Sequence, residues 1–156
     1  MLKPNTSNSL LSLLLTISVT WNYDIPDPRL TSIGETQARS IPHKYPFLFE
    51  SPAPLLVSSP FRRTLQTALI GFNRNPTPHP GFQENSSKPC DTGSPPSILR
   101  EEFPDLDLEL VVEGWDSKSG EWAPDELSLS RRAAKMRKWL KDLEEQEVVV
   151  VTHGGM

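Results

Sequence analysis

Val148 to Val151 is four valines in succession. Neighbouring side chains of an extended strand point to opposite faces, so an unbroken apolar run needs cover on both sides. β-Branched side chains favour that extended state over a helix. A strand of this kind belongs inside a parallel sheet with helices on its faces. Leu55, Leu56 and Val57 form a shorter run of the same type.

The segments around these runs read as helices. Thr31 offers a side-chain oxygen to cap a helix over SIGETQARS. Ser59 and Pro60 suit the N-cap and first position of a second helix. That helix sets Phe61, Leu65, Ala68, Leu69 and Phe72 on one face, and Gly71 marks its end. Pro124, Asp125 and Glu126 open a third, with Leu129, Ala133, Met136, Leu140 and Leu143 as its apolar stripe. Pro42 to Pro54 reads as irregular, Asn73 to Ser97 as one long proline-rich loop, and Glu113 to Pro124 as a second loop holding Trp115 and Trp122. The order is helix, strand, helix, loop, loop, helix, strand. It predicts an α/β fold with a mostly parallel sheet and helices on both faces.

Composition sets limits. The 156 residues suffice for one domain, and 36% hydrophobic with 23% charged residues describes a globular chain. A net charge of -4 argues against nucleic acid or an anionic membrane as partner. The single cysteine, Cys90, allows no internal disulfide. His43, His79 and His153 lie far apart, with no C-x-x-C or H-E-x-x-H spacing, so neither a metal nor a cofactor is expected. Leu10 to Val19 is apolar but shorter than the roughly 20 residues a spanning helix needs. It reads either as a strand or helix packed on the core, which suits a cytoplasmic protein, or as the apolar part of a secretory leader. Residues 1–21 are therefore set apart as an atypical N-terminal segment, a leader or a replaced first strand, and 22–156 as the domain proper.

Ligands of parallel sheets bind beyond the carboxyl ends of the strands. Two stretches fall there: Ser58-Ser59-Pro60-Phe61-Arg62-Arg63 and Thr152-His153-Gly154-Gly155. The first feeds a helix N-terminus whose free N–H groups favour an anion, with two arginines in its first turn. Each stretch also has a plain reading, as surface arginines and as a turn histidine. Together they suit a phosphoryl group.

The same residues carry a family resemblance. SSPFRRTLQTA is similar to the S-S-P-x-x-R-x-x-x-T-A segment of the histidine phosphatase superfamily, the phosphoglycerate mutase-like proteins. DPRLTSIGETQA resembles its D-x-x-L-T-x-x-G-x-x-Q-A stretch, and VVVVTHGG its strand ending in the second catalytic histidine. QENSSKPCDTG, LREEF and GWDSKSGEWAP resemble the fungal branch. The resemblance implies a three-layer phosphoglycerate mutase-like fold and a small phosphorylated substrate. It implies that Arg63 binds the phosphoryl oxygens, that His153 contacts the same oxygens, and that Glu84 donates a proton to the leaving oxygen. Arg62 would neighbour the substrate.

In that family a histidine within R-H-G or R-H-A, after the first strand, attacks phosphorus. This sequence contains neither tripeptide, and LLLTISVTWN stands where it is expected. The expectation is thus a domain incomplete at both ends with phosphoryl transfer impaired, or else a non-catalytic phosphate-binding remnant. Its oligomeric state is not fixed by the sequence.

Overall fold

The computed structural model describes residues 10–13, 23–50 and 53–154, the first group by backbone pairing alone. The rest of the Leu10–Val19 run and Gly155 lie outside the described residues. Strands β1 (Leu10–Leu13), β2 (Leu55–Ser58), β3 (Thr77–Pro78) and β4 (Val148–Val151) form one sheet in the order β1-β4-β2-β3. Every pairing is parallel. The valine run lies between two neighbours, with Val149 opposite Leu11 and Leu56.

Its alternation divides the core as the pleat requires. Val149 and Val151 join Leu56 on one face, packed against Leu30, Ala38, Ile41, Leu48, Ala68 and Phe72. Val148 and Val150 join Val57 on the other, against Phe82 and Met136. The first face is covered by α1 (Ser32–Arg39), α2 (Ile41–Lys44) and α3 (Arg62–Phe72), the second by α5 (Glu126–Asp142). Each fully buried valine contributes roughly 1.5–3 kcal/mol. The fold is therefore the expected α/β sheet with helices on both faces, consistent with the phosphoglycerate mutase-like class.

Several local expectations are corrected. Thr31 does cap α1, its Oγ1 accepting the Gly34 N–H at 3.1 Å. Ser59 does not cap α3. The Ser59 N–H continues the sheet by donating to Val151 O at 2.9 Å, so the helix starts later, with Phe61 at the cap position. Nor does Gly71 end α3. It lies within the helix, where a Cβ would meet Ile41 Cδ1 at 2.5 Å, and Asn73 makes the turn at φ 49°. Gly71 serves the close approach of α2.

The irregular stretches contain more structure than their composition suggests. Ile41–Lys44 is a helical turn and Pro46–Phe49 a 3-10 turn. The Asn73–Ser97 stretch supplies β3, and α4 (Pro96–Glu102) begins at its end. α4 is too short to show a periodic signal. Its Leu99, with Phe103 beyond it, packs against Phe61, Leu65, Leu106, Leu108, Val111 and Trp115 in a third core cluster. No helix among the described residues is long and apolar enough to cross a membrane.

Candidate active site

The carboxyl ends of β2 and β4 lie side by side, and so do the residues that follow them. His79, directly after β3, adds a third strand end: its N–H donates to Ser58 O at 2.8 Å. The Thr152 hydroxyl donates to Phe82 O at 2.9 Å, tying β4 to the loop that carries Glu84.

Arg63 and His153 meet at this edge. Arg63 Nη2 is 3.1 Å from His153 Nδ1. A guanidinium has only protons to give, so Nδ1 must present its lone pair. The neutral ring then carries its proton on Nε2, which donates to Ser59 Oγ at 3.0 Å. Burial holds His153 well below the ordinary histidine range, and the Arg63 and Lys118 charges push the same way. The imidazole is thus fixed in orientation and tautomer, and it is uncharged.

Phe61 organises these groups. Its ring meets the His153 ring edge to face at 4.8 Å and has the Arg63 guanidinium over it at 4.6 Å. Trp115 packs against it at 5.5 Å. Arg63 also donates to Cys90 O at 2.7 Å and to Asp91 Oδ1 at 3.2 Å, which fastens the PCDTG loop across the site. Glu84 enters from the same loop. Its Oε2 lies 3.9 Å from His153 Nδ1, while its Oε1 accepts the Asn85 N–H. The structure thus brings Arg63, His153 and Glu84 together.

Arg62 points elsewhere. Its Nε donates to Glu102 Oε2 at 2.7 Å, an ion pair that joins α3 to α4. Its backbone N–H donates to Asp27 Oδ1 at 3.0 Å. That contact revises the anion site expected at the head of α3: the anion there is the chain's own buried carboxylate. Asp27 Oδ2 accepts the Ser94 N–H at 3.0 Å, so one side chain holds both the start of α3 and the end of the PCDTG loop.

Sequence reasoning passed over Ser59 as a site residue, and also Phe61, Asp91 and Lys118. By sequence, Ser59 has the character of a helix cap and Phe61 that of a core residue. The PCDTG and GWDSKSGEWAP stretches that hold Asp91 and Lys118 did stand out, but by resemblance and without a role for either side chain. Among the described residues, no group of three or more His, Cys, Asp or Glu side chains is placed to share a metal ion.

The sequence model of the histidine phosphatase superfamily, branch 1, matches residues 18–156. The chain belongs to this superfamily. It is also similar to Phosphoglycerate mutase-like protein 2 of Arabidopsis thaliana, with 35% identity over 71 residues. That stretch is 43% of this chain and 20% of the relative, so the chain matches about a fifth of that protein's length. Superfamily membership agrees with the α/β fold and its parallel sheet.

Proposed function

We propose that this chain binds the phosphoryl group of a small phosphate ester between Arg63 and His153, at a phosphatase- or mutase-type site with impaired transfer chemistry. The observation that carries the reading is the 3.1 Å contact between Arg63 Nη2 and His153 Nδ1, two basic groups from separate strand ends of one parallel sheet. Arg63 stabilises charge on the equatorial oxygens. His153 orients the guanidinium through the lone pair of its Nδ1. Glu84 stands next to His153, where a carboxylic acid can hand its proton to a leaving alkoxide.

The residue inventory of the sequence supports the impairment part of this reading. A phosphohistidine needs an imidazole in line with the ester bond. The earliest histidine in the sequence is His43, on the exposed α2 turn. β1 (Leu10–Leu13) pairs in parallel with β4, and the next segment of the sequence is residues 14–22. That segment contains no histidine before Asn22. The same inventory favours a second reading, in which the site binds phosphate esters without turning them over.

Hydrolysis of p-nitrophenyl phosphate and titration with orthophosphate, each with an Arg63→Ala control, test both. Slow turnover that disappears in Arg63→Ala supports the impaired enzyme. Phosphate binding without turnover, lost in Arg63→Ala, supports the binding protein. Neither turnover nor binding in the wild-type chain refutes both.

A further inference from the structure

A bound phosphate monoester carries a charge of about -1.5 to -2 at neutral pH. His153 is held uncharged, so Arg63 supplies the full positive charge beside it, and Asp91 partly offsets that charge at 3.2 Å. A dianion in this position is short of one cation.

The loop over Gly114–Gly120 brings one. Trp115 anchors it: the ring is buried, its Nε1 donates to Ser94 O at 3.1 Å, and its carbonyl accepts from Gln83 Nε2 at 2.9 Å. Gly114 at φ 80° and Gly120 at φ 59° turn the chain at either end. Between them Lys118 holds φ 53°, a left-handed backbone that side chains other than Asn, Asp or Gly rarely adopt. Strain of this kind persists where the surrounding structure demands a particular side-chain position. The result is an ammonium 5.6 Å from the centre of the Phe61 ring, the ring that also packs on Arg63 and His153. Lys118 Nζ donates to Glu84 O at 2.7 Å, and no other hydrogen bond of this three-donor group is found among the described residues.

Resting on the phosphate-site reading above, we propose that Lys118 is the second cation of the site, a binding residue that neutralises the remaining charge of the phosphoryl dianion. The plainer alternative is a clip that only holds the Glu84 loop. Charge separates the two. Burial pushes the Lys118 ammonium down to about 8, with Arg132 and Arg63 acting in the same direction and Asp91 and Glu84 opposing them. The groups facing it are therefore Arg63 from α3, Glu84 and Asp91 from the long loop, Arg132 from α5 and His153 after β4. An anion binder loses affinity when this ammonium loses its proton. A clip to a neutral carbonyl has no such dependence on ligand charge.

The experiment is calorimetric titration of the full chain with inorganic orthophosphate between pH 7.5 and 9.5. Wild-type affinity is expected to fall as pH rises through about 8. Lys118→Arg, which stays charged, is expected to bind with that fall removed. Lys118→Gln is expected to bind about tenfold more weakly or worse, as for loss of a charged hydrogen bond. Lys118→Gly, which relaxes the left-handed backbone, gives the same answer should the glutamine variant fail to fold. Wild-type affinity in the neutral variants, with Arg63→Ala still abolishing binding, overturns the Lys118 assignment alone. Unchanged binding in Arg63→Ala, or no binding by the wild-type chain, overturns the underlying site and the assignment with it.

Discussion

At the scale of single residues, the molecule depends on contacts that no local pattern announces. Asp27 is 1% exposed and sits at φ 38°, and it answers two backbone donors at once. Burial pushes its carboxyl above the usual range, while the Ser94 and Arg62 contacts pull the other way. The folded protein accepts a costly carboxylate because two N–H groups would otherwise lie unpaired. Asp27→Ala is expected to destabilise by about 1–3 kcal/mol for each donor left without a partner. Urea denaturation measures this, and a change within half a kcal/mol would show that water takes over both donors. Because the Ser94 and Arg62 anchors flank Arg63 and its loop, the same variant is expected to weaken orthophosphate binding. The sequence marks Asp27 but names no partner for it, since its partners lie 35 and 67 positions away.

At the scale of elements, α1 and α5 start where Thr31 and Asp125 predict, whereas α3 starts later than Ser59-Pro60 predicts. Ser59-Pro60 has the composition of a helix start, yet tertiary bonds claim each of its groups. The Ser59 N–H goes to β4, its carbonyl accepts the Thr64 hydroxyl at 2.7 Å, and its own hydroxyl meets His153. Loop elements obey the same logic. A Cβ on Gly93 would lie 2.2 Å from Trp115 Cη2 and 2.4 Å from Cζ2, against a ring fixed by two hydrogen bonds. Gly93→Ala is therefore expected to cost about 1–3 kcal/mol, as overpacking does. Displacement of Trp115 would also carry Lys118 away from the site. Trp fluorescence during thermal unfolding and a phosphate titration check the two effects. An alanine variant with wild-type stability and affinity would mean that the ring moves freely.

At the scale of the whole molecule, titration links the site to stability. His153 titrates well below its ordinary value of 6.5 when folded, and His79 is also lowered, in both cases chiefly through burial. Below about pH 6.5 the unfolded chain takes up protons that the folded chain refuses, so stability is held above that pH and lost as pH falls. Melting temperature is expected to drop between pH 7.5 and 5.5, and His153→Gln is expected to reduce the slope. Equal slopes in both proteins would contradict the buried neutral imidazole. Saturating phosphate is expected to raise the melting temperature across this range, because a ligand that binds only the folded chain stabilises it.

The sheet shows where the sequence was sufficient. Four consecutive valines can be buried on both faces only inside a covered sheet, and alternation alone assigned Val149 and Val151 to one face and Val148 and Val150 to the other. Strand ends and the order of the motifs then placed Arg63 and His153 at one edge. Arg62 shows where sequence stopped: it differs from Arg63 by one position, yet helical geometry turns it toward Glu102 and away from the site. Tautomer and charge of His153, the capping of α3 by Asp27 and the approach of Lys118 through Trp115 were likewise decided in three dimensions. Periodicity is a property of neighbours along the chain and survives in the sequence. Which donor meets which acceptor across tens of residues depends on packed distances, and those exist only once the chain has folded.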